Sequence, residues 1–319
     1  MTAFLDEHAA QVRQAADRIH GYVRRTPCLT TDLSQDLRLK PECFQVTGSF
    51  KVRGAFNAIL TLAGREPRPA GVIAVSSGNH AQAVALAAAT VGLPALVLIP
   101  EDANPAKVAA TRALGAEVIQ EGITFANREE RLHEEMAARG FTLVHPFNDW
   151  NVIHGQGTAA RELLEDAPDI EVIATPVGGG GILSGTALSA KHHNPSIRVI
   201  GVEPAVADDA YQSWKTGSIQ SLASAPATMA DGVRTTSIGE RTFETMFANR
   251  LVDEIVTVSE DEIAAAVRVA WSRIHLALEP TGALPLAAYL SGKLPNGRTG
   301  LILTGGNANF ETVATLLRH

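Results

Sequence analysis

The chain has 319 residues, of which 45% are hydrophobic and 19% charged, as expected for a globular protein with one large or two modest cores. Its formal net charge of −7 and pI near 5.8 argue against a nucleic-acid binder, because such proteins concentrate basic residues. The only two cysteines form no CxxC pair and are too few for a disulfide framework. A reducing, cytoplasmic location is therefore expected.

After an amphipathic N-terminal helix, short apolar runs alternate with helical patterns. Helical segments such as "PAKVAATRALG" and "REERLHEEMAARG" end in the glycine expected after a helix C-terminus. This alternation predicts an α/β protein whose parallel sheets are covered by helices on both faces. The predicted strands are 71–76, 95–100, 116–120, 171–177, 197–204 and 300–306.

Two features bear on membranes and secretion. The uncharged run "AVALAAATVGLPALVLIP" (83–100) is nearly long enough to cross a bilayer, but Gly92 and Pro94 divide it into a helix and a strand. The N-terminal residues "MTAFLDEHAA" lack the basic start and apolar core of a secretory signal. We expect neither a membrane segment nor a signal peptide.

The first motif along the chain is "VTGSFKVRGA" (46–55), in which Lys51 has apolar neighbours. A lone lysine is usually a solvated side chain. The motif by itself does not distinguish a solvated lysine from a reactive amine.

A second motif, "AVSSGNHAQAVA" (74–85), places Ser76, Ser77 and Asn79 where a strand ends and a helix begins. Side-chain donors and free backbone N–H groups at a helix N-terminus suit a carboxylate. Serine and asparagine are also preferred N-cap residues and need no ligand, so both interpretations stay open.

The third motif, "TPVGGGGILSGTALSA" (175–190), runs from a strand through four consecutive glycines into a helix. Glycine is entropically costly to order, and a backbone without Cβ atoms can wrap around a phosphate at a helix N-terminus. Neither a dinucleotide fingerprint nor a P-loop fits the spacing, which argues against an NAD-binding oxidoreductase. A flexible turn is the alternative.

A fourth motif, "LTGGN" (303–307), again puts a polar residue, Thr304, at the end of a strand. Thr304 alone is more typical of a capping residue than of a ligand. Ligands of open α/β sheets gather outside the carboxyl ends of the strands, however, so the polar and glycine-rich loops predict one shared pocket.

The motifs "GSFKVRGA", "SSGNHAQA", "GGGGILSG", "GVEP" and "TGGN" make the sequence resemble the tryptophan-synthase-β-like (fold-type II) pyridoxal-phosphate enzymes. Their order and approximate spacing are most similar to the serine racemase and serine/threonine dehydratase branch. The resemblance implies two open, mostly parallel sheets with helices on both faces. It also implies a homodimer, a large domain of residues 1–70 and 148–319, and a small domain of residues 71–147 that carries the Ser/Asn loop.

The resemblance implies how pyridoxal 5'-phosphate is held. Lys51 would form the covalent imine with the cofactor aldehyde, and Phe50 would pack against the ring. Asn79 would bond the phenolic oxygen, and Thr304 would face the pyridine nitrogen. Backbone amides of the glycine motif would bind the phosphate, namely those of Gly178, Gly179, Gly180, Gly181 and Ile182.

The implied chemistry is α,β-elimination of a β-hydroxy amino acid to a keto acid and ammonia. A neutral hydroxyl at Thr304 would leave the ring nitrogen unprotonated and keep charge near Cα, which favours prompt loss of the β-hydroxyl. Lys51 would remove the Cα proton. Racemisation would accompany elimination if the Ser77 hydroxyl delivers a proton to the opposite face. Alternatively, Ser77 only binds the substrate carboxylate together with Ser76, Asn79 and His80.

Two further expectations concern substrate and metal. Arg128 matches a substrate-site arginine of serine racemases, and its guanidinium would pair with a second carboxylate, favouring serine or 3-hydroxyaspartate over threonine. A surface arginine is the alternative. Glu203, Asp209 and the Ala207 carbonyl match the Mg²⁺ or Ca²⁺ ligands of metal-activated members, and a solvated acidic turn is the alternative.

The sequence departs from the family pattern at Phe147, and two other functions are alternatives to elimination. Phe147 stands where nucleotide-activated racemases have asparagine, which puts nucleotide activation in doubt. A β-replacement enzyme of the cysteine-synthase type shares the implied fold but needs a second nucleophile. A non-catalytic pyridoxal-phosphate-binding protein is the remaining alternative.

Overall fold

The computed structural model describes residues 2–318 except 102 and 104. Strands and helices alternate along most of the chain, as the apolar pattern predicted. The first half contains α1 (Thr2–Ile19), β1 (Leu29–Thr31), β2 (Ser34–Pro41), α2 (Lys51–Ala63), β3 (Val72–Val75), α3 (Asn79–Thr90), β4 (Ala95–Leu98), α4 (Pro105–Ala113), β5 (Glu117–Ile119), α5 (Arg128–Arg139), β6 (Thr142–Leu143) and α6 (Trp150–Asp166).

The second half continues the alternation with longer buried strands. It contains β7 (Val172–Pro176), α7 (Gly181–His193), β8 (Arg198–Pro204), α8 (Asp209–Thr216), α9 (Glu240–Phe243), β9 (Glu254–Val258), α10 (Glu260–Val269), α11 (Pro280–Leu290), β10 (Thr299–Leu303) and α12 (Phe310–Leu317). Helices α9 and α10 each run directly into a π-helical turn, at Glu244–Ala248 and Ala270–Ile274.

The strands form two sheets. The larger has six strands in the order β1-β2-β10-β7-β8-β9, parallel except for the antiparallel β1–β2 pair. The smaller has four parallel strands in the order β5-β4-β3-β6. The predicted fold of two open, mostly parallel sheets is therefore confirmed. The four strands of the smaller sheet all fall within 72–143, whereas the domain boundaries at 71 and 147 stay a prediction.

Both faces of the larger sheet are buried. Every residue of β7 and β10 is buried, which explains why these strands read as continuous apolar runs rather than as alternating patterns. Helices α10 and α11 cover one face, whereas α6 and α7 cover the other. The carboxyl ends of β7 and β10 lead directly into the glycine motif and Thr304.

The uncharged run 83–100 divides where expected, into the end of α3 and strand β4. Within the residues that the structure describes, no helix combines the length and apolarity that a membrane span requires.

An ion network buried in the protein fixes the start of α2. Arg53 is fully buried, and its guanidinium donates to Glu42 at 2.7 Å and to Glu162 of α6 at 2.7 Å. Lys40 of β2, also fully buried, donates to the same Glu162 at 2.7 Å. Buried charges are tolerated only when paired and hydrogen-bonded, so this network ties α2, and with it Lys51, to β2 and α6.

Candidate active site

A cavity of about 660 Å³ brings the predicted motifs together, a volume typical of sites for small organic ligands. It is lined from the smaller sheet by the loop after β3 and by α5, and from the larger sheet by the loops after β7 and β10. The predicted site residues that line it are Phe50, Lys51, Ser76, Ser77, Asn79, His80, Arg128, Gly178, Gly179, Gly180, Gly181, Ile182 and Thr304.

Lys51 is the first residue of α2, and its amine points into the protein. The Nζ atom donates to the carbonyl oxygen of Pro146 at 3.0 Å and lies 5.1 Å from the centroid of the Phe50 ring. Burial lowers the pKa of Lys51 to about 8, against the opposing effect of the Glu279 carboxylate. An amine with this pKa is partly deprotonated near neutrality, so it can act as a nucleophile or a base.

The glycine motif joins β7 to α7 in a turn that excludes side chains. A Cβ atom on Gly179 would lie 2.3 Å from the Phe147 ring, and one on Gly181 would lie 2.7 Å from Oε1 of Gln156. Gly180 has a left-handed φ of 91°, which other residues rarely adopt. This bare backbone leads into the N-terminus of a 13-residue helix, so the turn has the features of a phosphate site.

Thr304 follows β10 and lines the same cavity as the glycine motif and Lys51. The side chain is 1% exposed, and its Oγ1 finds no hydrogen-bond partner among the described residues. A buried hydroxyl without a partner is costly, and a ligand with an acceptor atom would remove that cost. The Lys51 amine, the bare glycine turn and this hydroxyl together fit the aldehyde, phosphate and ring nitrogen of pyridoxal phosphate.

The loop between β3 and α3 presents its polar groups to the same cavity. Ser77 is exposed and Ser76 half-buried, with the Ser76 Oγ accepting from the Gly78 N–H at 3.3 Å. The Asn79 amide donates to Oε1 of Glu279 at 2.7 Å. The Ser77 hydroxyl is therefore free to reach a ligand, whereas the Asn79 side chain already has two protein partners, Glu279 and Asn307.

His80 lines the cavity as a neutral acceptor. Burial and the nearby Lys51 lower the pKa of His80 to about 3. Its Nε2 lies 2.8 Å from the Val144 carbonyl oxygen, a contact that requires the proton on Nε2. Nδ1, which finds no partner within the described part of the chain, then carries a lone pair. A carboxylate at this end of the cavity would therefore take donors from the loop backbone and the serines, not from the imidazole.

Arg128 begins α5 and also lines the cavity. Its guanidinium carbon lies 3.8 Å from the centroid of the Phe125 ring, and its nearest acidic contact is a loose 3.8 Å approach to Glu129. Burial lowers the pKa of Arg128, although the group stays charged. Stacking on Phe125 holds the planar group while leaving its donors available to an anion in the cavity.

The predicted metal ligands lie outside this cavity, at the junction of β8 and α8. Glu203 is 1% exposed and accepts from the Tyr211 N–H at 2.6 Å, capping α8. Asp209 is 2% exposed, and its Oδ2 has no partner among the described residues. Burial raises the pKa of Asp209 to about 7 and that of Glu203 well above its ordinary value, with Asp209 adding to the latter effect. The residues described contain no cluster of three His, Cys, Asp or Glu side chains around one point.

Sequence reasoning missed Glu279 and Asn307. Glu279 precedes α11, is 2% exposed and lines the cavity. The Asn307 amide donates to Oδ1 of Asn79 at 2.8 Å. In the sequence, Glu279 is only an acid directly before Pro280, where a helix begins, and Asn307 is only the last residue of "TGGN". Neither pattern distinguishes a site residue from an ordinary helix cap.

Comparisons with known proteins show the family of the chain. The family described as "Pyridoxal-phosphate dependent enzyme" matches residues 19–305. The L-threo-3-hydroxyaspartate ammonia-lyase of Saccharomyces cerevisiae is 42% identical over 313 residues, 96% of this chain and 95% of that one. The serine racemase of Schizosaccharomyces pombe is 40% identical over 313 residues, 96% of each chain.

A solved structure extends the likeness to three dimensions. The serine racemase of maize superposes with a TM-score of 0.90 at 38% identity, covering 97% of this chain and 96% of that one. The resemblance inferred from the motifs is thus confirmed across nearly the whole length. From the family match and these relatives, the chain belongs to the pyridoxal-phosphate dependent enzymes.

Proposed function

We propose that this protein catalyses α,β-elimination of a β-hydroxy amino acid, serine or 3-hydroxyaspartate before threonine, yielding a keto acid and ammonia. The observation that carries the proposal is the half-buried Lys51 amine, partly neutral near pH 8, in one cavity with a phosphate-type glycine turn and the unpartnered Thr304 hydroxyl. Similarity to ammonia-lyases and racemases supports the same reaction class.

In this proposal Phe50, Asn79, Thr304 and the glycine turn hold the cofactor. When bound, pyridoxal phosphate supplies an electron sink that acidifies the substrate Cα–H. Lys51 Nζ takes the Cα proton, since its depressed pKa leaves the amine unprotonated in a useful fraction of molecules. The Thr304 hydroxyl would face the ring nitrogen and, unlike a carboxylate, would bring no charge to it, which suits elimination.

The loop after β3 binds the substrate carboxylate through backbone N–H groups at the start of α3 and the hydroxyl of Ser76. The exposed Ser77 hydroxyl is the candidate proton donor for racemisation. The similarity to serine racemases supports this second activity of the same site.

A substrate panel tests the proposal. Purified protein with pyridoxal phosphate is given L-serine, D-serine, L-threonine or 3-hydroxyaspartate without sulfide or another added nucleophile, and keto acid and ammonia are measured. Equal amounts of both products are expected. A β-replacement enzyme would release no keto acid under these conditions, and a non-catalytic cofactor-binding protein would release no ammonia.

Arg128→Ala is expected to lower kcat/KM for 3-hydroxyaspartate by about 10–100-fold, because it removes a charge-assisted pair with the side-chain carboxylate. Turnover of serine, which has no second carboxylate, should change little. Arg131→Ala is the matched control, because Arg131 lies on the same helix, pairs with Glu134 and is not part of the cavity lining. Equal losses with both substrates would show that Arg128 does not read the second carboxylate.

Glu203, Asp209 and the Ala207 carbonyl form the second site of the proposal, for Mg²⁺ or Ca²⁺. Two buried carboxylates with an unpartnered oxygen suit a hard cation, which prefers oxygen ligands and would offset their charge.

Millimolar Mg²⁺ or Ca²⁺ should raise the melting temperature by about 2–4 °C. Asp209→Asn should lose this gain while melting no lower than the parent protein in the presence of a chelator, since it removes a buried charge. Asp208→Asn, which changes a half-exposed neighbouring carboxylate, is the control. Full cation stabilisation in Asp209→Asn would rule out this site.

The organisation proposed around these sites is a small domain of residues 71–147 inserted into a large one, in a cytoplasmic homodimer. The confinement of the smaller sheet to 72–143 supports the division.

A further inference from the structure

A buried carboxylate in the cofactor cavity has no role in the reaction described above. Glu279 directly precedes α11, and its side chain is 2% exposed. Two other acidic residues line the cavity, Glu129 and Asp231, and both are exposed. A fully buried carboxylate is retained in a protein when its charge or its hydrogen bonds have a use.

Glu279 ends a chain of side-chain hydrogen bonds. The Asn307 amide donates to the Thr47 carbonyl at 2.7 Å and to Oδ1 of Asn79 at 2.8 Å. The Asn79 Nδ2 in turn donates to Oε1 of Glu279 at 2.7 Å. An amide whose oxygen accepts from a donor and whose nitrogen donates to a carboxylate has one orientation only.

This series of hydrogen bonds determines which polar groups of Asn79 remain free for a ligand. Its oxygen is occupied by Asn307, and one N–H is occupied by Glu279, which leaves the second N–H for an acceptor in the cavity. Reversing the amide would set Oδ1 against the carboxylate and Nδ2 against the Asn307 donor, two repulsive contacts. Glu279 and Asn307 thus present Asn79 as a donor.

The Glu279 charge also acts on Lys51. Burial raises the pKa of Glu279 to about 7, with Asp231 raising it further and Lys107, the Asn79 amide and Lys51 lowering it. Glu279 and Lys51 line the same cavity, and the charge of the Glu279 carboxylate raises the pKa of the Lys51 amine. Cys43 also lies near Glu279, and its thiol stays neutral because burial raises its pKa to about 11.

We propose that Glu279 is a positioning residue of the cofactor site: it locks Asn79 as a donor toward the cofactor and sets the protonation of Lys51 through its charge. This inference rests on the proposed function, because it assumes that pyridoxal phosphate occupies the cavity. It adds to that function two residues, Glu279 and Asn307, that act through Asn79 and Lys51 rather than on the substrate.

Covalent uptake of pyridoxal phosphate by the apo protein, followed by absorbance as a function of pH, separates the two effects. Uptake needs the unprotonated amine, so in the parent protein it should rise with pH with a midpoint near 8. Glu279→Gln keeps an acceptor for Asn79 and removes the charge. Its uptake midpoint should move about one pH unit lower, because the Lys51 ammonium loses a stabilising anion.

Asn307→Ala is the complementary variant, since it frees the Asn79 amide and alters no charge. We expect it to weaken equilibrium binding of the cofactor by about 10-fold with an unchanged uptake midpoint. An unmoved midpoint in Glu279→Gln, or parental cofactor affinity in Asn307→Ala, would overturn the respective half of the inference. Failure of the parent protein itself to take up the cofactor would instead overturn the proposed function.

Discussion

Lys51→Ala is expected to abolish the absorbance band of covalently bound pyridoxal phosphate and to reduce keto-acid formation at least about 10³-fold. Removing a general base alone costs about 10²–10⁴-fold in rate, and this variant removes the covalent attachment as well. Because the half-buried amine makes one hydrogen bond, to Pro146, its loss should leave the fold intact. Circular dichroism and thermal melting check that point.

Two matched variants separate the amine from general effects of charge. Lys51→Arg keeps a cation at the start of α2 but cannot attach the cofactor, so it should be as inactive as the alanine variant. Lys215→Ala removes an exposed lysine of α8 and should behave like the parent protein. A cofactor band that survives in Lys51→Ala would place the attachment elsewhere.

Gly179→Ala is expected to weaken pyridoxal-phosphate binding by about 10–100-fold. The added Cβ would lie 2.3 Å from the Phe147 ring, and relieving an overpacked contact typically costs about 1–3 kcal/mol and shifts the backbone. Because the backbone amides of this turn are the proposed phosphate donors, the displacement should appear in cofactor affinity, measured by fluorescence titration, more than in melting temperature.

The source of the clash makes the effect reversible. Phe147→Ala removes the ring that the new Cβ would meet, so Gly179→Ala combined with Phe147→Ala should bind the cofactor more tightly than Gly179→Ala alone. The four proteins form a double-mutant cycle that isolates this contact. Gly64→Ala, at the end of α2 where the nearest atom to a Cβ is 3.6 Å away, is the control glycine. Purely additive effects would refute the steric explanation.

The fold could be predicted wherever strands are apolar throughout. The run 171–177 contains β7, and the run 300–306 covers β10 except for Thr299. All residues of both strands are buried, so apolar composition alone identified them. Strand β2 escaped prediction because "SQDLRLKP" reads as polar. Its Lys40 is nevertheless fully buried, with its amine donating to the Thr26 carbonyl and to the distant Glu162 carboxylate. Local pattern carries no information about a partner supplied by another helix.

The residues of the candidate site also separate into those that the sequence could predict and those that it could not. Residues within compact motifs, such as the glycine turn and the loop after β3, could be identified since their chemistry depends on neighbours in sequence. Glu279 could not, because its partner Asn79 is 200 residues away, and a lone acid reads as a solvated side chain. The resemblance implied that His80 binds the substrate carboxylate. Which imidazole nitrogen bears the proton depends on the contact with the Val144 carbonyl, which the sequence alone does not show.

The central claim is that the Lys51 amine is the covalent attachment point of pyridoxal phosphate. Borohydride reduction of the cofactor-loaded protein makes that bond permanent, and peptide mass spectrometry then locates it. We expect the cofactor mass on the peptide containing Lys51 and on no other. A modified Lys107, which also lines the cavity, with Lys51 unmodified would contradict the account.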